Sequence, residues 1–210
     1  MSEGVDNRRE LLRRAALGAG ALTATGLLGP ALAAAQSTDD DDLRDYLLEA
    51  TGLEQVAVLA YQTAADAKGI EPVLRRSLQR FGAQEQAHAD AWRSALDSLG
   101  FDPPDPPDDA TDTGVFEDVD GLSDEAANEL TGLLDKLDGL TKPEALLRFL
   151  VQVEERELRY YLDEAPGLDS EDLSTTSAEV AGCQAEHLVV LNQALGDSPA
   201  DAVKAASSAG

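Results

Sequence analysis

The chain has only two histidines, and each closes a near-copy of the same pattern. In the first half, Glu54 lies in the run LEQVAVLAY and is followed by Glu85-Gln86-Ala87-His88. In the second half, Glu154 lies in VEERELRYY and is followed by Gln184-Ala185-Glu186-His187. His88 comes 34 residues after Glu54, and His187 comes 33 after Glu154. A tyrosine follows each glutamate by seven positions, Tyr61 and Tyr161. A single Glu on one helix and Glu-x-x-His on the next, given twice, is the ligand arrangement of a dinuclear, carboxylate-bridged metal site inside a four-helix bundle. One of the six ligand positions is altered, because Gln184 stands where the pattern asks for glutamate.

The flanking residues put these groups on buried seams. Leu74, Leu78, Phe81, Glu85, His88, Trp92, Ala95 and Leu99 are separated by alternating steps of four and three, the spacing of an inward helix face. Val180, Gln184, His187 and Leu191 form a second seam, Leu47, Ala50, Glu54, Ala57 and Tyr61 a third, and Leu147, Leu150, Glu154, Glu157 and Tyr161 a fourth. Polar groups thus enter four seams at matching heights. Several ionisable groups in one dry layer are costly to desolvate and repel one another. Divalent cations remove both penalties, and glutamate oxygen with imidazole nitrogen suits iron, manganese or zinc. The i, i+3 spacing sets Glu85 and His88 on one face. The metal ligands expected on this basis are Glu54, Glu85, His88, Glu154 and His187, with Gln184 and Glu157 as further candidates. The plainer alternative is a metal-free polar layer in which carboxylates bond to histidine and tyrosine.

Three neighbouring residues carry narrower expectations. The hydroxyls of Tyr61 and Tyr161 are expected to bond the glutamates, as buried tyrosines find partners. Cys183, the only cysteine, precludes an intrachain disulfide and reads as a small buried residue, with a soft auxiliary ligand as the alternative. Glu157 has Ala57 as its counterpart in the first half, so the extra acid occurs only in the half that carries Gln184. It either restores that charge near the site or points to the bundle edge beside Arg156 and Arg159.

Start and stop signals divide the chain into an all-α architecture. The first long helix is expected from about Leu43 to Lys68, broken by Gly69 and Pro72, and the second from there to Leu99, closed by Gly100. The run FDPPDPPDDATDTG suits neither a helix nor a central strand, so residues 101–121 are expected to be extended. Ser123 caps a short helix reaching Leu137. The third long helix runs from Pro143 to Ala165, Pro166-Gly167 turns the chain, and the fourth runs from Ser170 to Leu195. Short connections make the first and second, and the third and fourth, antiparallel neighbours. The roughly 40-residue link between the second and third long helices is one long crossover.

Outside the bundle, the N-terminus carries targeting signals. Asn7-Arg8-Arg9-Glu10-Leu11-Leu12-Arg13 is similar to a twin-arginine export motif, and an Ala- and Gly-rich apolar stretch leads to Ala31-Leu32-Ala33-Ala34-Ala35, small residues suited to cleavage. Retention of this segment as a membrane anchor is the alternative. The expected organisation is a signal segment at 1–35, an acidic disordered linker at 36–42, the bundle at 43–196 and a flexible tail at 197–210. Lys+Arg is 16 against Asp+Glu 41, a net charge of −25. That balance argues against nucleic acid and anionic membrane as partners and is compatible with cations.

In these residues the chain resembles the ferritin-like superfamily, and within it the exported ferritin-like domain proteins of prokaryotes. The likeness covers about residues 43–196 and rests on the duplicated spacing. It implies a ferritin-like four-helix bundle, two iron or manganese ions held by Glu54, Glu85, His88, Glu154 and His187, and reaction with dioxygen or peroxide. The targeting signals point to an exported protein of the periplasm, cell wall or exterior with no membrane association after signal cleavage; metal ions are the expected partners, and a homo-oligomer is left open. Gln184 departs from the family pattern, since a neutral amide bridges two ions poorly. A metal-free bundle with a structural or interaction role in the cell envelope is the competing reading.

Overall fold

The structure, a computed structural model, describes residues 40–165 and 170–196. The expected export segment, the tail from 197 and the Pro166-Gly167 turn lie outside the described residues. Among the described residues are five α-helices and one 3-10 turn: α1 (Asp40–Asp66), α2 (Pro72–Leu99), the turn (Thr113–Phe116), α3 (Asp124–Leu137), α4 (Pro143–Glu164) and α5 (Glu171–Leu195). The four long helices α1, α2, α4 and α5 are those read from the spacing, with ends displaced by no more than three residues. α1 begins at Asp40 rather than Leu43 and stops at Asp66 rather than Lys68.

Local chemistry explains the ends. Pro72 opens α2, where its missing N–H is no loss. Gly100 closes it at φ 83, a left-handed conformation that glycine adopts without steric cost. The Ser123 hydroxyl accepts from Ala126 N at 3.2 Å to cap α3, and Ser170 does the same for α5 through Leu173 N at 3.3 Å.

α1 packs along α2 and α4, and α4 packs along α5, whereas α2 and α5 meet over a much shorter stretch. Tyr46, near the start of α1, stacks on Tyr160 near the end of α4 with ring centroids 5.3 Å apart. Tyr61, near the end of α1, bonds Glu154 in the middle of α4. α1 and α4 are therefore antiparallel. The close approach of α1 to α2 uses Gly82, where a Cβ would lie 3.0 Å from Tyr61 Cβ. On its other side, α1 receives α3: a Cβ on Gly52 would meet Leu130 Cδ1 at 2.5 Å. Partners on both sides leave Leu47, Leu48, Leu53 and Val56 of α1 buried on opposite faces.

The crossover differs from an extended strap. Its 3-10 turn buries Phe116, the apolar residue that the proline-rich run delivers into the core. Thr131 of α3 donates to Thr113 O at 3.0 Å, and Gln55 of α1 donates to Pro104 O at 3.0 Å. Arg93 of α2 bonds the same Pro104 carbonyl. Arg156 ties α4 to both α1 and α3 by pairing with Glu49 at 2.6 Å and Glu129 at 2.5 Å. This scaffold holds the four seams in fixed register, with every seam residue quoted above buried except Leu74 and Leu99, which are partly so.

Candidate metal centre

Each of the four long helices contributes to one buried polar layer. Glu54 comes from α1, Glu85 and His88 from α2, Glu154 and Glu157 from α4, and Gln184 and His187 from α5. The four glutamates and Gln184 have no exposed surface, His187 keeps 1% and His88 keeps 9%. His88 Nδ1 lies 3.1 Å from Glu85 Oε2 and 3.3 Å from Glu54 Oε2. His187 Nδ1 lies 2.7 Å from Glu85 Oε1 and 3.1 Å from Glu154 Oε1. Ligand-type atoms of Glu54, Glu85 and His88 fall within 4.8 Å of one another, and so do those of Glu85, Glu154 and His187. Glu85 is common to both groups.

The tyrosines cross over. Tyr61 of the first half donates to Glu154 Oε1 of the second, and Tyr161 of the second donates to Glu54 Oε1 of the first at 2.5 Å. Burial, then the nearby carboxylates, holds both phenols well above their ordinary value, so both remain protonated donors. Trp92 Nε1 donates to Tyr161 Oη at 3.1 Å, fixing the second phenol from behind.

The titration pattern is that of a layer crowded with acid. Burial, then Glu85, pushes Glu54 well up. Burial raises Glu154 to about 7 against the pull of His187. Burial and the charges of Glu54, Glu85 and Glu154 push Glu157 well up. Glu85 alone is held well below its ordinary value: burial opposes this, but the charge of the adjacent His187 imidazole and the hydrogen bond from His88 prevail. Both imidazoles are raised, against burial, by Glu54 beside His88 and by Glu154 and Glu85 beside His187. Protons thus occupy the role that a cation fills more strongly.

The donor set fits a transition metal. Glu85 Oε1, Glu154 Oε2, Glu157 Oε1 and Gln184 Oε1 are buried oxygens without a hydrogen-bond donor; the 2.7 Å approach of His187 Nδ1 to Glu85 Oε1 is out of alignment for one. Orphaned buried oxygens are costly, and a cation placed among the four would compensate them. Carboxylate and imidazole are ligands of iron, manganese and zinc.

Several placements go beyond the sequence reading. Glu157 faces inward, and of its two expected positions the bundle edge is excluded: Gln184 Nε2 donates to Glu157 Oε2 at 3.1 Å and to Glu85 Oε2 at 3.0 Å. Arg156 and Arg159 are turned elsewhere, Arg156 to Glu49 and Glu129 and Arg159 to the Glu155 carbonyl. Cys183 is buried with its thiol 3.5 Å from His187 Nε2, the ring nitrogen opposite the one that meets the carboxylates. Gln84 was not a candidate, yet its Oε1 accepts from His187 Nε2 at 3.2 Å. That bond leaves Nδ1 of the neutral ring as the free ligand atom. Gln84 lies one position off the seam and is half-buried, so periodicity gives no signal for it. Phe81, read as a seam residue, packs its ring 4.0 Å from that of His187.

Comparison with known proteins agrees with this architecture. The sequence profile of the ferritin-like domain matches residues 40–197. Among solved structures, a hypothetical protein from Methanococcus jannaschii superposes with a TM-score of 0.57 at 16% sequence identity, covering 78% of this chain and 91% of that one. This likeness shows the fold. A search of curated proteins finds no match.

Proposed function

The chain belongs to the ferritin-like domain family, and we propose that it is an exported protein holding iron or manganese in the core of its bundle. The observation that carries this reading is the pair of ligand groups sharing Glu85, set in a buried layer with orphaned oxygens. Glu54 and His88 would hold one ion, Glu154 and His187 a second, and Glu85 would serve both. Bound iron or manganese would supply redox chemistry toward dioxygen or peroxide, so oxidation of the metal itself or removal of peroxide is the proposed activity.

The residues of the chain have separate tasks in this scheme. Tyr61 and Tyr161 each give one hydrogen bond to a glutamate of the opposite half, fixing carboxylate orientation. Gln84 holds His187 in the tautomer that presents Nδ1. Phe81, Trp92 and the tyrosine rings wall the layer with apolar surface and keep water from the carboxylates. The protein would enter the export route through Arg8-Arg9 and the small-residue region ending at Ala35. No helix among the described residues is long and apolar enough to cross a membrane.

Elemental analysis of protein purified without chelator tests the reading. Iron or manganese is expected in stoichiometric amount, followed by dioxygen consumption with ferrous iron or decay of added peroxide. Protein that carries no metal and takes up none would instead be the metal-free structural bundle. Replacing Arg8 and Arg9 by lysine should trap the precursor in the cytoplasm, and unchanged export would defeat that half of the proposal.

A further inference from the structure

The polar layer contains one carboxylate more than the two ligand groups use. Glu157 has no exposed surface, one of its oxygens accepts from Gln184 Nε2 at 3.1 Å, and the other has no donor. Its arginine neighbours in sequence are engaged elsewhere. A buried carboxylate with a single neutral donor is strongly penalised unless a cation compensates it. Gln184 links Glu157 directly to Glu85, the residue common to both ligand groups.

Charge counting gives this arrangement a purpose. An imidazole must be neutral to bind a metal ion, so both histidines then contribute nothing. Glu54, Glu85 and Glu154 carry three negative charges, one fewer than two divalent cations require. Glu157 makes the total four, and a dry layer holding two divalent cations becomes neutral. With a glutamate at 184 as well, the layer would carry five. The acid that the repeat pattern puts on α5 is thus supplied by α4, one helix over.

We propose that Glu157 is a ligand in a two-cation centre, providing the carboxylate that Gln184 does not, and that Gln184 is the positioning residue that orients it toward Glu85. This rests on the two-ion metal-binding reading above and extends it by assigning a ligand outside the repeated pattern. Gln184 contributes through its amide hydrogens, holding two like-charged carboxylates side by side.

Manganese(II) titration of the full-length protein, read by calorimetry and by metal content after dialysis, tests the assignment without reference to activity. Wild type is expected to bind two ions. E157Q is nearly isosteric and removes only the charge; it is expected to bind one ion tightly and the second weaker by more than about 100-fold, beyond the usual effect of changing an outer partner. The double variant E157Q/Q184E keeps the carboxylate count and is expected to bind two again. Circular dichroism establishes that each variant is folded, and if E157Q does not fold, the double variant decides. Two ions bound by E157Q at unchanged affinity would overturn the role of Glu157. A double variant limited to one ion would overturn the exchange between α4 and α5. Wild type with a single ion would overturn the charge count, whereas wild type with none would defeat the metal-binding reading itself.

Discussion

Around His88, the ring nitrogen Nδ1 meets Glu54 and Glu85; around His187, Nδ1 meets Glu154 and again Glu85. In the first environment the carboxylates that meet the ring nitrogen both come from its own half of the chain. The second borrows a carboxylate and two packing partners from α2, since Phe81 lies against the His187 ring and Gln84 bonds its Nε2. His187 is also the deeper of the two, with 1% of its side chain exposed against 11% for His88. The repeat therefore reproduces spacing but not surroundings. The half that lost its glutamate is completed by groups from other helices, and the two ion positions should not behave alike.

The sharpest way to break the comparison is through Glu85, the group that both environments share. Glu85→Gln should abolish binding at both positions. Wild type in metal at 1,000 times the dissociation constant should gain about 4 kcal/mol in unfolding free energy for each ion bound, and the variant should gain none. Denaturant titration with and without manganese(II) measures this, and a variant that still binds two ions would show that the halves are independent.

The histidines test the asymmetry directly. In chelator, His187→Ala should destabilise the fold by roughly 3–5 kcal/mol, the effect of stranding a deeply buried partner. His88→Ala should cost less, because solvent reaches the edge of its ring. Urea unfolding of the two variants side by side decides, and equal losses would mean that depth is irrelevant.

Next in size is the pH response. Glu154 rises from an ordinary 4.5 to about 7 on burial, so the folded state holds an extra proton between those values. Glu154 alone should then lower metal-free stability by roughly 3 kcal/mol as pH rises from 4.5 to 7, and the raised Glu54 and Glu157 act in the same direction. The contribution of Glu85, whose carboxyl is depressed, is present above 4.5 and is lost only at lower pH, outside this window. The raised imidazoles contribute fully below 6.5 and lose that contribution only as pH climbs through their folded values. Metal reverses the trend, since ligands must shed protons to bind it. Melting curves at pH 5 and pH 7 should therefore order oppositely with and without manganese(II).

The smallest effect distinguishes the crossed tyrosines. Tyr61→Phe removes one hydrogen bond, a loss of about 1 kcal/mol. Tyr161→Phe removes the bond to Glu54 and also strands Trp92 Nε1, so about 2–3 kcal/mol is expected. Trp92 fluorescence should shift only in the second variant, and identical spectra would exclude the Trp92–Tyr161–Glu54 chain.

Sequence alone determined whatever depends on neighbours one turn away. Pro72, Gly100, Ser123, Ser170 and Gly196 mark helix ends because capping is local chemistry. The steps of three and four identified the inward faces, and the duplicated Glu and Glu-x-x-His spacing named the residues of the polar layer other than Glu157. Tertiary structure decided what depends on the rotation and axial register of one helix against another. Glu85 rather than Glu154 is the shared carboxylate because α2 places it within reach of both histidines. Tyr61 serves Glu154, and Tyr161 serves Glu54, because α1 and α4 are antiparallel. Glu157 turns inward because the α4 seam is wide enough at that height for a second acid to meet Gln184. A shift of one residue in register moves a side chain by 1.5 Å along the axis and about 100° around it, and no pattern within a single helix encodes that choice.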